Sequence, residues 1–243
     1  MQRGGLTDDG HCLAETFRLL EEAIRSGCEI GAVLGAESAR RRLESLTGGL
    51  EAARLVILPD ALFRELASTE TSQGVVALVR PPEWKVEDLW RNHPLVVVLD
   101  GIQDPGNAGS IVRAAEAFGS SGLIFLKGTV DPFNPKAVRA SAGSLFRIPV
   151  LHGFDAARTR RLLDAGRLRV YAAATEAGSP PEKIDMIAPC AIVIGSEGHG
   201  VSAELREGAS AVRIPTDRVE SLNAAVAAGI LLYEARRQRS QSQ

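Results

Sequence analysis

The sequence lacks long hydrophobic runs, and those that it has, such as Leu95–Leu99, stop after a few residues. A membrane-spanning helix needs about 20 consecutive apolar residues, so we expect no membrane span. Asp8 and Asp9 stand where a secretory signal would place its apolar stretch, so no such signal is predicted. These absences favour a cytoplasmic protein.

Cysteine is also scarce, and the three cysteines Cys12, Cys28 and Cys190 form no CxxC pair. Their odd number and wide spacing argue against a disulfide framework and against a structural zinc site. We therefore expect free thiols and no metal.

Two common nucleotide motifs are missing. The sequence has no GxxxxGK[ST] segment, and its glycine spacing does not match GxGxxG. A P-loop enzyme and a Rossmann dinucleotide enzyme are both disfavoured.

The first 80 residues alternate short helical and strand-like patterns, which predicts a small α/β unit. The two prolines of Arg80–Trp84 break both patterns, so residues 81–93 are predicted to be a linker with one helical turn. Helices are predicted at Cys12–Ile24, Ala36–Leu46 and Asp60–Ala67, and strands at Ile30–Leu34, Leu55–Leu58 and Gly74–Val79.

Residues 94–243 alternate apolar runs with helical patterns, which predicts a mostly parallel sheet covered by helices on both faces. The predicted strands are Leu95–Leu99, Leu123–Leu126, Leu168–Ala173, Ala191–Ile194 and Ala211–Ile214. The predicted helices are Ala108–Phe118, Lys136–Gly143, Asp155–Ala165, Ser202–Glu207 and Ser221–Arg237.

Three motifs follow predicted strands of this second unit. In Asp100–Arg113, a turn leads to Asn107, which we predict to cap the next helix; Arg113 lies about 240° further round that helix. In Ile192–Ser202, three glycines permit close backbone approach to a ligand, although an ordinary turn explains the loop equally well. In Ile214–Gly229, a helix capped by Ser221 is rich in alanine, which a simple buried helix also explains.

Together and in this order, the three motifs closely resemble the SpoU (TrmH-like) family of RNA ribose 2′-O-methyltransferases over residues 94–237. The segment Lys136–Val150 is also typical of that family. Residues 1–80 resemble the substrate-binding domain related to the ribosomal L30e fold, on the basis of Glu21–Gly27 and Ser72–Val79.

The resemblance implies a deep trefoil knot, in which the chain from Ile214 onward is threaded near the loop at 195–200. It also implies that S-adenosylmethionine binds in the knot, mainly to backbone groups. The implied cofactor-binding residues are Thr175, Gly195, Ile214 and Leu222, and the residues that complete the site are Glu197, Ser221 and Asn223.

The same resemblance makes Arg113 the central catalytic residue, oriented by Asn107. A guanidinium stays protonated, so we expect Arg113 to orient the 2′-hydroxyl and stabilise developing negative charge instead of acting as a base. His199 is a weaker candidate base.

RNA is the implied partner, yet the net charge of −2 is not that of a typical RNA-binding protein. A homodimer, implied by the family, could concentrate local patches such as Arg139 and Arg147 with Arg40–Arg42. The candidate dimer surface is the last helix with Leu231, Leu232 and Tyr233.

Ribosomal RNA of the 23S type is the favoured substrate, by analogy with proteins that carry such an N-terminal domain. The alternatives are a tRNA ribose 2′-O-methyltransferase and a non-catalytic RNA-binding protein with the same fold.

Overall fold

The computed structural model describes residues 5–48, 55–66, 72–91, 93–174 and 177–241, which form two sheets with helices packed on them. The N-terminal sheet has the order β1-β4-β2-β3; β2 and β3 are parallel, and β4 is antiparallel to β1 and β2. Its elements are β1 (Cys12–Ala14), α1 (Phe17–Arg25), β2 (Glu29–Ala36), α2 (Arg40–Leu46), β3 (Leu55–Leu58), α3 (Asp60–Leu66) and β4 (Val75–Arg80).

The helix predicted over Cys12–Ile24 is wrong in its first part. Cys12–Ala14 is a strand, and Cys12 pairs with Val79 of β4. Thr16 then caps α1, because its side chain accepts a hydrogen bond from the backbone N–H of Leu19 at 3.2 Å. The apolar spacing fitted a helix throughout, and the cap residue marks where the helix begins.

The second sheet has six parallel strands in the order β10-β8-β9-β5-β6-β7, which confirms the predicted mostly parallel sheet. Its strands are β5 (Leu95–Asp100), β6 (Gly122–Leu126), β7 (Val150–Phe154), β8 (Arg169–Ala174), β9 (Cys190–Gly195) and β10 (Ser210–Arg213). Its helices are α4 (Pro105–Ala117), α5 (Pro135–Ser141), α6 (Ala156–Ala165), α7 (Ala203–Arg206) and α8 (Ala224–Ser240). The edge strand β7 was not predicted, since His152 and Gly153 interrupt its apolar run.

The helices cover both faces of this sheet. In the central strand β5, Val96 and Val98 pack toward α6 and α7, while Val97 and Leu99 pack toward α4 and α8, and all four are fully buried. A parallel strand buried on both faces needs apolar residues at successive positions, as β5 has. None of the described helices is long and apolar enough to cross a membrane.

The connection from β8 to β9 contacts the C-terminal elements β10 and α8. Ser179 pairs with Val212 on β10, and the segment then reaches α8, where Gln238 hydrogen-bonds the backbone of Pro181 and Met186. Both β10 and α8 therefore contact this connection. The arrangement agrees with the knot that the family resemblance implies.

Two arginines join the N-terminal unit to the second sheet. Arg147 donates to Glu22 of α1 and to Glu116 of α4, and Arg139 pairs with the buried Glu15. The hydrogen bonds to Glu116 raise the pKa of Arg147. The prediction that these arginines add to a basic surface is wrong, because acidic residues more than 100 positions away in one unit neutralise them.

Part of the predicted Arg40–Arg42 patch is also neutralised. Arg40 pairs with Glu37 and Glu44, and Arg42 pairs with Glu21. Only Arg41 of the three has no ion-pair partner among the described residues.

Candidate active site

Three loops meet at the C-terminal ends of β5, β9 and β10. They contain residues 101–104, 196–202 and 214–223, and thus parts of all three sequence motifs. Parallel α/β sheets place ligand sites at this edge, because the loops after neighbouring strands converge there. The topology therefore brings the loop after β5 together with two loops that lie about 90 to 120 residues further along the sequence.

Asn107 lies at the centre of this edge. Its amide Nδ2 donates to Oε1 of Glu197 at 2.9 Å, and its Oδ1 accepts from Nδ2 of Asn223 at 2.9 Å. Asn223 in turn uses its Oδ1 to accept from the backbone N–H groups of Ala225 and Val226. One side chain from each motif is thus fixed in a single hydrogen-bond network.

Two predicted helix caps are wrong. Asp104, not Asn107, caps α4: its Oδ1 accepts from the backbone N–H of Asn107 at 2.7 Å, and Pro105 occupies the first helical position. Asn223, not Ser221, caps α8. Both corrections matter for the site, because Asn107 keeps its whole amide for Glu197 and Asn223.

A first cavity of about 520 Å³ opens between the loop at 196–200 and the segment before α8. Its size is within the range of small-molecule sites. Its walls include small and apolar residues such as Ala173, Ala174 and Val212. Five of the predicted site residues line it: Gly195, Glu197, Ile214, Ser221 and Leu222.

Position 195, at the end of β9, has no room for a side chain. A Cβ atom at Gly195 would lie 2.1 Å from the carbonyl carbon of Gly200 and 2.3 Å from the backbone nitrogen of Val201. The loop folds back on the strand end, with the N–H of Gly200 donating to the carbonyl of Ser196 at 2.9 Å and Gly200 at φ +66°. The backbone fold, and with it one wall of the cavity, excludes any larger residue at position 195.

A second cavity of about 620 Å³ lies on the other side of the same loop. Asn107 lines this cavity but not the first, whereas Glu197 and His199 line both. Asp100 anchors the loop between them, because its Oδ2 accepts from the backbone N–H of Ser202 at 2.7 Å. Residues 196–200 therefore form a wall shared by the two cavities, and within this wall the side chain of Glu197 is the one that Asn107 holds.

Arg113 is not part of this network. It is exposed on α4, six positions after Asn107, and its side chain makes no hydrogen bond or ion pair with any other described residue. It lines neither cavity. The structure thus does not bring Arg113 to Asn107, while Thr175 lies outside the described residues.

Three residues at the site were not predicted from the sequence. Asp100 anchors the glycine loop, and Arg206 and Glu220 line the first cavity. Asp100 begins the first motif, so its position after a buried strand was a usable signal. Glu220 lies within the third motif but was not assigned a role, whereas Arg206 stands outside the three motifs and only the fold places it at the cavity. Within the described ranges, no cluster of three or more His, Cys, Asp or Glu side chains could hold a metal ion.

Comparison with known proteins identifies the fold and the family. Residues 94–233 match the SpoU rRNA Methylase family, and residues 3–77 match the MRM3-like substrate binding domain. The chain is 34% identical over 226 residues to the 23S rRNA (guanosine(2553)-2′-O)-methyltransferase RlmP of Bacillus subtilis, covering 92% of this chain and 88% of that protein. It is also 34% identical over 209 residues to the 23S rRNA (guanosine-2′-O-)-methyltransferase RlmB of Ralstonia nicotianae, covering 82% and 84% of the two chains.

Solved structures agree. The SpoU methyltransferase AviRb of Streptomyces viridochromogenes, in complex with the cofactor AdoMet, superimposes with a TM-score of 0.84 at 30% identity over 96% of this chain and 91% of that one. The AdoMet-bound rRNA methyltransferase of Sinorhizobium meliloti gives a TM-score of 0.82 at 30% identity, covering 95% and 88%. The family resemblance of the three motifs is confirmed, the expected N-terminal substrate-binding domain is matched as well, and the chain belongs to the SpoU rRNA methylase family.

Proposed function

We propose that this protein transfers a methyl group from S-adenosylmethionine to a ribose 2′-hydroxyl of ribosomal RNA of the 23S type. The observation that carries the proposal is the position of Glu197, which lines both cavities and is held by Asn107. A methyl donor in one cavity and a ribose in the other would meet at this residue. The relatives named for 23S rRNA 2′-O-methylation support the substrate class.

The first cavity fits the cofactor. Its volume suits a nucleoside-sized ligand. Gly195, Ile214 and Leu222 line it, and the family resemblance implies that their backbone groups hold the cofactor. Ser221 adds a hydroxyl. When bound, S-adenosylmethionine supplies a methyl group on a positively charged sulfur. We also propose Thr175, which lies outside the described residues, as a cofactor-binding residue on the basis of the family resemblance.

The protein's own residues position the hydroxyl. Oε1 of Glu197 is engaged by Asn107, which leaves Oε2 without a described hydrogen-bond partner and able to accept from a ribose hydroxyl. Asn223 holds Asn107 from the other side, so the carboxylate keeps one orientation. Holding the reacting oxygen in line with its target can supply ~7–11 kcal/mol of the barrier.

Arg113 has a separate role in this proposal. Its guanidinium is exposed and has no acidic partner among the described residues, which suits contact with an RNA phosphate beside the target ribose. It would orient the hydroxyl and stabilise negative charge on the oxygen as the proton leaves.

The test is transfer of labelled methyl from S-adenosylmethionine to separated rRNA and tRNA. We expect label in rRNA, recovered after alkaline hydrolysis as a resistant dinucleotide, because a methylated 2′-oxygen cannot attack the adjacent phosphate. Label in tRNA instead would identify a tRNA enzyme. Cofactor binding without transfer to either RNA would contradict the proposed substrate, and no cofactor binding would leave only a non-catalytic RNA-binding protein.

Two variants locate the chemistry. Asn107→Ala should reduce transfer at least tenfold and change the cofactor Kd less than threefold, since Asn107 does not line the first cavity. Arg113→Ala should also lower transfer strongly. Arg161→Ala, an exposed arginine on α6 without a described partner, is the matched control and should behave like the wild type.

We also propose a homodimer formed through α8 of the knotted unit. The predicted surface needs correction, because Leu231 and Leu232 are buried inside the protomer. The exposed apolar stripe instead contains Val226, Ile230 and Tyr233, spaced four and three residues apart along one helix face. Such a stripe suits a two-fold contact between identical helices.

Sedimentation velocity tests this surface. Tyr233→Glu should convert a wild-type dimer to a monomer while the circular dichroism spectrum stays unchanged, because Tyr233 is 58% exposed in the protomer. A variant that remains dimeric would exclude the stripe as the interface. We propose the cytoplasm, where ribosomal RNA of the 23S type is found, as the place of action.

A further inference from the structure

The first cavity contains two charged side chains that the proposed reaction does not use. Arg206 ends α7, and Glu220 lies in the segment before α8; both line the cavity. The other ionisable groups of the lining are Glu197, which Asn107 engages, and His199. Arg206 is thus the one arginine or lysine among the described lining residues.

Neither side chain is used elsewhere in the described structure. Arg206 and Glu220 form no ion pair or side-chain hydrogen bond with each other or with another described residue. Nearby Arg160 shows the contrast, because it pairs with Asp164 and donates to the carbonyl of Glu207. Charged groups at a cavity wall without protein partners are free to bind a charged ligand.

The backbone around Arg206 is fixed. Its N–H donates to the carbonyl of Ser202 at 3.0 Å, and its own carbonyl accepts from Ala209 at 3.0 Å. The preceding Leu205 is fully buried in the core beneath α7. The guanidinium is therefore carried by a rigid turn at the cavity wall.

The chemistry of the two groups matches one end of the proposed cofactor. S-adenosylmethionine joins a nucleoside to an amino acid, whose α-carboxylate and α-ammonium carry opposite charges. A guanidinium binds a carboxylate through parallel hydrogen bonds, and a carboxylate binds an ammonium group. The small apolar walls formed by Ala173, Ala174 and Val212 offer no such partner and suit the nucleoside.

We infer that Arg206 binds the α-carboxylate of the methyl donor and that Glu220 binds its α-ammonium group. The inference rests on the proposed function, because it concerns the ligand of the same cavity. It makes these two residues specificity determinants, which distinguish the complete cofactor from related adenosine compounds that lack the amino-acid end.

A pair of ligands that differ by one group tests Arg206. Calorimetry would compare S-adenosylmethionine with its decarboxylated analogue, which keeps the sulfonium, the amine and the nucleoside. The wild type should bind the complete cofactor at least tenfold more tightly. In Arg206→Ala this ratio should fall to about one, because the carboxylate has then lost its partner. Arg161→Ala should keep the wild-type ratio.

Glu220→Gln should weaken both ligands by a similar factor and leave the ratio at its wild-type value, since both ligands carry the amine. A misfolded variant cannot mimic the Arg206 result, because loss of the cavity would remove binding of both ligands together. A second variant, Arg206→Gln, should repeat the collapse of the ratio.

The inference is overturned if the wild-type ratio is about one, or if Arg206→Ala preserves it. An unchanged affinity in Glu220→Gln would remove Glu220 from the subsite. Failure of the wild type to bind either ligand would refute the proposed function itself, and that result is distinct from both.

Discussion

Replacing Gly109 by alanine tests how the packing of α4 supports the site. Gly109 is buried where α4 crosses α5, and a Cβ atom there would lie 2.3 Å from the carbonyl oxygen of Ala137 and 2.7 Å from the Cβ of Ala140. Ordinary contacts begin at about 3.4 Å, so α4 has to move by ~1 Å to accept the methyl group.

Two effects oppose each other. Alanine is favoured over glycine inside a helix by about 1 kcal/mol, while an overpacked core costs about 1–3 kcal/mol. The nearest contact is a backbone carbonyl, which cannot rotate away, so we expect the upper part of that range and a net loss of about 1–2 kcal/mol.

The same movement should reach the site. Asn107 lies two residues before Gly109 in the same helix, and its two hydrogen bonds to Glu197 and Asn223 are each 2.9 Å long. A shift of ~1 Å would stretch both beyond the normal range. Methyl transfer should therefore fall more than tenfold, at temperatures where the variant remains folded.

Urea denaturation and the labelled-methyl assay measure the two effects. Ser110→Ala is the control, because Ser110 is exposed in the same helix and the change removes volume. It should keep full activity and gain a few tenths of a kcal/mol from helix propensity. If Gly109→Ala proved as stable and as active as this control, the close contact between α4 and α5 would not constrain the site.

Two further predictions concern charge and thiols. Burial acts to raise the pKa of Glu116, but its hydrogen bonds from Arg147 and Ser144 outweigh this and hold that pKa below its usual range. Glu116→Gln should therefore lower the free energy of unfolding by about 1 kcal/mol at pH 7. In urea denaturation at a series of pH values, this difference from the wild type should vanish as the pH falls through the lowered pKa, and a constant difference would contradict the prediction. Burial also raises the pKa of Cys12 to about 12 and that of Cys190 to about 11. A thiol reagent at pH 8 should therefore modify only the half-buried Cys28 in the native protein, and all three thiols in denaturant. Fast labelling of a second thiol in the native protein would contradict this prediction.

Strands buried on both faces could be predicted from the sequence, because β5 and β9 consist of successive apolar residues that fit no amphipathic helix. The edge strand β7 could not, since His152 and Gly153 break its pattern and only its pairing with β6 makes it a strand. The predicted N-terminal cap of α4 was wrong because two residues in the turn, Asp104 and Asn107, are both good caps, and only the structure shows that Asp104 is the one used.

The cavity residues came from the family motifs, and Gly195, Ile214 and Leu222 do line one cavity. The hydrogen bond between Asn107 and Asn223 joins residues 116 positions apart, and no local pattern specifies such a pair. The prediction of a basic patch at Arg139 and Arg147 failed for the same reason, because Glu15 and Glu22 of the N-terminal unit neutralise these arginines. What the sequence could not supply in each case was the long-range pairing that the fold creates.

The position of the site along the chain has a consequence for synthesis. The N-terminal sheet is complete once β4 ends at Arg80, but the first cavity needs the segment up to Ala227, and Asn107 gains its second partner only when Asn223 has been made. At roughly 5–20 residues per second, ribosomes need roughly 7–30 s to make the residues in between. During that interval the N-terminal unit can fold while the proposed methyl-donor site is incomplete, so we expect a nascent chain to be inert toward RNA methylation until the C-terminal segment closes the cavity.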